Sequence, residues 1–416
     1  KKAGGISKIL GKFLKVGPVA AALEGAFAYN DIQVIFKKAK ELAFDINNSN
    51  KFNLSKVFFN KAVNEKKFSH ALDKVNNHEE NILSLINSIY LNPKPCQIIA
   101  EIGINHNGSI DQLLKLCDLA CNSGANIVKF QYFDAKKRIG KNVRELEHTE
   151  KALDLEENIL QLLNRCELNL NDLSKAKEYV TSKGKDVMCT PFSKNSFLEL
   201  VEIGFKKIKI SSMDLNNYHL HNQIVSYKKK LNLFISTGMS NIDELKQIYD
   251  IYKDSVHDVC FLLCTSSYPA PNYDISLSNL LLYKSLFPKF KIGYSDHTVG
   301  NIASIVAASL GAEFLEIHFS DDIRKSGPDQ ILSKTDKDLE IITKEIKVIS
   351  ELTKFIPKDL RQSEYSTWRT QKKGLYAKRE IKKGELITIQ NTFSESPPSN
   401  ISPLMLIDQK PIANKN

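Results

Sequence analysis

Eight short, apolar, β-rich runs punctuate the middle of this 416-residue sequence, at 97–104, 126–132, 186–190, 207–211, 231–236, 258–264, 290–294 and 313–319. Between them lie segments with the apolar spacing of helices, among them 112–123, 175–183, 242–252, 301–310 and 336–352. Strands separated by helix-length connections pair in parallel, because a parallel neighbour is reached only through a long crossover. Eight such units in about 255 residues match the size of a (β/α)₈ TIM barrel, an α/β fold. A doubly wound open sheet is the alternative, but it rarely needs eight units.

Two further regions flank the barrel. Residues 1–94 read as a mainly helical, basic extension of unknown role, closed by the breaker Asn92-Pro93-Lys94-Pro95. Residues 95–353 are the barrel, 354–366 a linker, and 367–416 a small β-rich domain. In the last, Leu375-Tyr376-Ala377, Glu380-Ile381 and 383–387 read as short strands with tight turns.

Charge and cysteine content narrow the function classes. The net charge of +10 is concentrated at the front, where residues 1–95 carry fifteen Lys and no Arg against eight Asp and Glu. Nucleic-acid recognition wants arginine and aromatics interleaved, so a solvated lysine-rich surface is the reading and no nucleic-acid partner is expected. Seven cysteines without a CxxC pair read as free thiols of a reducing compartment. The longest apolar stretch, 17–28, includes Glu24 and is too short to span a bilayer. The expectation is a cytoplasmic protein with no membrane association.

The ends of the apolar runs carry the chemistry. Glu101, Lys129, Gln131, Thr190, Ser211, Ser212, Ser236, Thr237, Thr265 to Ser267, Ser295 to His297 and His318 all follow or close a strand. In a (β/α)₈ barrel these C-terminal strand ends form the active-site face. Strand termination accounts for Ser and Thr, but not for Glu, Lys and two His placed directly after apolar runs. His297 and His318 end neighbouring strands and, beside the carboxylates Asp296 and Asp329, can hold a divalent metal. Lys129 and Lys209 suit either a Schiff-base aldolase or an anion site, and the many hydroxyls with Gly238 and Gly293 favour the anion. Glu101 is the candidate acid/base.

The segments Ile99-Ala100-Glu101-Ile102-Gly103-Ile104-Asn105-His106-Asn107-Gly108, Val128-Lys129-Phe130-Gln131 and Cys189-Thr190-Pro191-Phe192-Ser193 occur in order. They are followed by Lys209-Ile210-Ser211-Ser212, Ser236-Thr237-Gly238-Met239 and Cys264-Thr265-Ser266-Ser267-Tyr268-Pro269. Gly293-Tyr294-Ser295-Asp296-His297-Thr298, His318-Phe319 and Gly327-Pro328-Asp329 complete the series. The series resembles the sialic acid synthase (NeuB) family, and Lys382-Lys383-Gly384-Glu385 with Ile401-Ser402-Pro403 resembles its C-terminal antifreeze-like (SAF) domain, here partial.

That resemblance implies an N-acetylneuraminate synthase-like transferase. Phosphoenolpyruvate and an N-acetylated amino-sugar aldehyde, N-acetylmannosamine first, would condense with water to a sialic-acid-type nonulosonate and phosphate. Lys129, Thr190, Lys209, Ser212, Ser236 and Ser295 would bind phosphoenolpyruvate, with the substrate-binding Gln131 and Ser266 nearby. Tyr268 and Asp329 would address the sugar, and Glu101 would handle protons or position water. His297 and His318 would hold a divalent metal, Mn²⁺ first, with Mg²⁺ or Co²⁺ as alternatives. The resemblance also implies a homodimer in which the SAF domain reaches the partner barrel.

The sequence departs from the family pattern at four places: Ile317 for a Lys, Gln330 for a His, Ser266 for an Asn, and Lys372-Lys373-Gly374 where an Arg pair usually stands. Lysine lacks arginine's planar fork, so sugar identity is open. The alternatives are a legionaminic or pseudaminic acid synthase using a diacetamido-trideoxy hexose, another phosphoenolpyruvate-condensing keto-deoxy sugar synthase, a Schiff-base aldolase, or an inert barrel carrying a binding module.

Overall fold

The structure, a computed structural model, describes residues 95–138, 159–325, 327–354 and 358–408. The helical extension expected over 1–94 lies outside the described residues. The chain divides into two compact units, Lys1–Lys354 and Phe355–Asn416.

In the first unit eight parallel strands close into a barrel in sequence order. They are β1 (Gln97–Gly103), β2 (Ile127–Tyr132), β3 (Asp186–Pro191), β4 (Lys207–Ile210), β5 (Asn232–Ser236), β6 (Asp258–Leu263), β7 (Lys291–Asp296) and β8 (Phe314–His318). Every boundary falls within two residues of the run read from the sequence. Closure joins β1 to β8, with Glu101 opposite His318, so no sheet edge is left unpaired. The helices begin at side-chain caps that satisfy otherwise orphaned N–H groups. Ser109 caps Ile110–Asn122, Asn169 caps Leu170–Ser182, and Asn241 with Glu244 forms a capping box on Ile242–Tyr252.

Six of the eight barrel strands are apolar on both faces low in the barrel, for two different reasons. Outward residues such as Ile98, Ala100, Val128 and Ile208 join the helices in one large core. Inward residues Ile99, Ile127, Met188, Phe234, Cys260, Leu262 and Phe314 form a separate plug inside the barrel. Phe234 and Phe314 meet edge-to-face across the plug, 4.8 Å between centroids. Gly293 is required there: a Cβ would lie 2.6 Å from the Phe314 carbonyl oxygen and 2.7 Å from a Leu262 methyl. Its role is therefore close packing of β7 between β6 and β8, which corrects its reading as an anion-binding turn.

Among the described residues of the second unit there is one antiparallel pair, Gly374–Ala377 (β9) with Thr392–Glu395 (β10). The segments 380–381 and 383–387 do not form the short strands expected of them. Gly384, at φ +85°, turns the chain, and the Glu385 carboxylate accepts from the Lys382 N–H and pairs with Arg379. These local bonds hold a loop in place of a ladder. Among the described residues no helix is long and apolar enough to cross a membrane.

Candidate active site

Side chains two residues apart share a strand face, so the residue two positions above each plug member also points into the barrel. Ile99 is followed by Glu101, Ile127 by Lys129 and Gln131, Met188 by Thr190, Phe234 by Ser236, and Phe314 by Glu316 and His318. The inward face thus switches from apolar to polar near the C-terminal strand ends. A cavity of about 440 Å³ opens there. It is lined by Glu101, Lys129, Gln131, Thr190, Lys209, Ser212, Ser236, Ser266, Tyr268, Ser295, His297, His318 and Asp329, the residues to which the resemblance assigns a role; Asp296 is not among them.

Four charged groups buried at 1 to 4 % exposure form its floor: Glu101, Lys129, Lys209 and Glu316. Lys129 Nζ lies 2.6 Å from Glu101 Oε2 and 3.8 Å from Glu316 Oε2. Lys209 donates to Glu316 Oε1 at 3.0 Å, and Ser295 Oγ donates to the same oxygen at 3.0 Å. Gln131 Nε2 donates to Glu101 Oε1 at 2.8 Å. Burial alone would raise the Glu316 pKa, but the two ammonium groups outweigh it and hold the carboxyl well below the usual range. Burial likewise opposes the Lys129 charge, and Glu101 and Glu316 overcome it, raising its pKa. Lys129 is therefore held as a cation and Lys209 is ion-paired with Glu316, an arrangement suited to anions and not to Schiff-base chemistry, which needs a neutral amine.

Above the floor, three buried hydroxyls, Thr190 Oγ1, Ser236 Oγ and Ser266 Oγ, have no hydrogen-bond partner among the described residues. Buried polar atoms are normally paired, so unpartnered ones aimed into a cavity point to a ligand. Beside them the Gly238 N–H donates to Ser212 Oγ at 3.1 Å. A Cβ at Gly238 would stand 2.2 Å from Ser266 Oγ and 2.9 Å from Ser212 Oγ. Glycine keeps this cradle of donors open.

The two histidines stand on the rim with ring centroids 5.3 Å apart, and Tyr268 lies 4.3 Å from the His297 ring. His297 Nδ1 is 2.7 Å from the Thr265 carbonyl oxygen. A carbonyl only accepts, so Nδ1 carries the proton and Nε2 keeps its lone pair. Burial pushes the His297 pKa down to about 4, and His318 adds to the effect. For His318, burial also disfavours the cation, but Asp329, with Oδ2 3.3 Å from Nδ1, outweighs it and raises the pKa. That contact is at ion-pair distance without hydrogen-bond alignment, since His318 Nδ1 has no hydrogen-bond partner. A neutral imidazole with a free lone pair beside a position that favours positive charge is a donor set that fits a cation. Among the described residues no three His, Cys, Asp or Glu side chains converge as a closed metal cage would require. Two imidazoles would leave the remaining coordination to water or substrate.

Asp296 corrects an expectation. Its Oδ1 accepts from the Thr298 N–H and hydroxyl at 2.8 and 2.7 Å, and Oδ2 accepts from Ser304 Oγ at 2.6 Å. It faces its own loop, shaping the turn that carries His297, while Asp329 is the carboxylate that lines the cavity.

Comparison with known proteins settles the lineage. The sequence profile described as the NeuB family matches residues 116–356. The chain belongs to the NeuB family. It is 34% identical over 315 residues to the N,N'-diacetyllegionaminic acid synthase of Campylobacter jejuni, covering 74% of this chain and 92% of that one. It is 30% identical to human N-acetylneuraminate-9-phosphate synthase over 302 residues, covering 71% of this chain and 81% of the human one. The crystal structure of the N-acetylneuraminic acid synthetase from Leptospira borgpetersenii, in complex with citrate, is similar at a TM-score of 0.59 and 29% identity. That likeness covers 66% of this chain and 91% of that one. Like these relatives, this NeuB-family chain is an enzyme of the sialic acid synthase kind.

Two charged cavity residues were not singled out from the sequence. Glu316 sits inside the continuous apolar run of β8, and only its two-residue offset from His318 could have revealed that it faces inward. Arg138 ends the basic triplet Lys136-Lys137-Arg138 and lines the cavity.

Proposed function

We propose that this enzyme condenses phosphoenolpyruvate with the open-chain aldehyde of an N-acylated amino sugar to give a nonulosonate and inorganic phosphate. The observation that carries the reading is one cavity holding two buried lysines and unpartnered hydroxyls that Gly238 leaves uncrowded, directly beside a pair of rim imidazoles.

Lys129 and Lys209, with Thr190, Ser212, Ser236, Ser266 and Ser295, bind the anionic groups of phosphoenolpyruvate and fix its C3 toward the rim. Tyr268 and Asp329 orient the sugar. His297 and His318 would hold a divalent cation, Mn²⁺ first with Mg²⁺ or Co²⁺ as alternatives, which when bound polarises the aldehyde oxygen. C3 forms a bond to the aldehyde carbon, and positive charge develops at C2. Glu101, fixed by Gln131 and Lys129, orients the water that adds to C2 and receives its proton. The tetrahedral carbon then expels phosphate, whose departing charge the lysines stabilise. Residues 367–416 as an antifreeze-like domain, a homodimer, and a cytoplasmic location belong to the same proposal.

N-acetylmannosamine is the first acceptor. A diacetamido-trideoxy hexose is the second, favoured by the 34% identity to the Campylobacter legionaminic acid synthase. The test is mass spectrometry of products from both sugars with phosphoenolpyruvate and Mn²⁺. Phosphate release that requires sugar supports the reading. Release without sugar, or substrate trapped on Lys129 or Lys209 by borohydride, overturns it.

A further inference from the structure

Arg138 closes a four-residue helical turn, Ala135–Arg138, directly after β2. Its guanidinium lies over two aromatic faces, 4.6 Å from the Phe133 centroid and 4.0 Å from the Phe192 centroid. Those rings meet edge-to-face at 5.7 Å, so they are braced against one another. Arginine's planar fork carries five N–H donors. Among the described residues it makes one hydrogen bond: Nη1 donates to Gln131 Oε1 at 3.2 Å, and Gln131 in turn donates to Glu101. No described carboxylate lies within ion-pair distance of it. Asp329, Asp214, Glu101 and Tyr268 act on its charge from farther away, which places it at the Asp329–Tyr268 side of the cavity. A rigidly held fork with unused donors at a cavity wall is built for recognition.

The charge balance says what kind of group it takes. The cavity is lined by three cations, Lys129, Lys209 and Arg138, and three carboxylates, Glu101, Glu316 and Asp329. Phosphoenolpyruvate brings its own negative charge to the lysine side. A second phosphate at Arg138 would add charge beside Asp329 and Glu101, in a cavity whose lysine and arginine cations and carboxylates already match in number. An uncharged oxygen, an amide carbonyl or a hydroxyl, takes the free N–H donors without that repulsion.

We propose that Arg138 is a specificity-determining residue that hydrogen-bonds an uncharged oxygen of the acceptor sugar, and that the cavity accordingly selects an unphosphorylated acceptor. The inference deepens the condensation reading and rests on it. The experiment is calorimetric binding of N-acetylmannosamine and of its 6-phosphate, in the presence of phosphoenolpyruvate, to the wild-type protein and to Arg138→Met and Arg138→Lys. Lysine keeps the charge and the stem over the rings, so it serves if the methionine variant misfolds. The wild type should bind the neutral sugar more tightly than its phosphate ester. Both variants should weaken the neutral sugar by about tenfold to a hundredfold, the range for one lost charge-assisted hydrogen bond, while phosphoenolpyruvate affinity stays put.

Neutral-sugar affinity unchanged in the variants, or no binding of that sugar by the wild type, overturns the inference. So does tighter wild-type binding of the phosphate ester that is lost in Arg138→Met, which would make Arg138 a phosphate anchor. Phosphoenolpyruvate affinity falling in parallel would reduce Arg138 to a structural support. Binding discrimination without any condensation product would leave the inference standing and sink the proposed reaction instead.

Discussion

Replacing Glu316 with glutamine removes one charge and almost no volume, so it isolates the electrostatics of the barrel floor. In the wild type the carboxylate faces Lys209 at 3.0 Å and Lys129 at 3.8 Å, and both lysines are all but fully buried. At an effective dielectric of about 20, a pair at that first separation attracts by roughly 5 to 6 kcal/mol before desolvation is counted. The Glu316→Gln variant keeps the desolvation cost of two ammonium groups and leaves a single carboxylate, Glu101, to serve them. Removing one partner of a buried pair costs about 3 to 5 kcal/mol, so unfolding stability should fall by that amount. Urea titration followed by far-UV circular dichroism is the assay. Tryptophan emission is unsuitable, because the sole tryptophan, Trp368, belongs to the second unit. Inorganic phosphate should restore more stability to the variant than to the wild type, since an anion that binds the folded state compensates the exposed surplus of positive charge. A loss under about 1 kcal/mol, or equal rescue of both proteins by phosphate, would refute the floor as a preassembled anion site.

Three further outcomes are expected. His297→Ala and His318→Ala should each abolish turnover that Mn²⁺ restores to the chelator-treated wild type, and wild-type-like activity in either would remove the cation site from the rim. Glu101→Gln should slow product formation by about a hundredfold to ten-thousandfold while phosphoenolpyruvate binding, read by calorimetry, persists; concurrent loss of both would make Glu101 structural. His106 is buried and its pKa is depressed to about 4, by burial first and Arg165 second. The unfolded chain therefore binds the extra proton first as pH falls through about 6.5, and folding stability should decline between there and pH 4 by about 3 kcal/mol. His106→Asn should flatten that slope in urea midpoints measured across the window, and an unchanged slope would assign it elsewhere.

Much of the barrel was legible in the residue pattern because a parallel strand buried on both faces writes itself as an apolar run. The Lys207–Ile210 strand is the weakest example: two lysines interrupt it, and Lys209 is there because it points inward to Glu316. The strand-end residues were legible for a related reason, since polar groups immediately after apolar runs mark where the barrel opens. The second unit was less so. Its second strand falls at Thr392–Glu395, because the Arg379–Glu385 and Lys382–Glu385 contacts turn the expected strand into a loop.

By itself, then, the sequence determined the alternation of strand and helix, the order of the eight strands, and the ring of groups at their C-terminal ends. These are local quantities, set by periodicity and by residues a few positions apart. Only the tertiary structure decided how those groups are shared: that Glu316 serves both lysines, that Asp296 braces its own loop while Asp329 faces His318, and that Arg138, at the end of a basic triplet, lines the cavity wall. The first depends on distances between residues 107 and 187 positions apart (316 − 209 and 316 − 129), the others on which way one side chain turns. Burial and charge fix such choices once the barrel closes, and no local pattern encodes them.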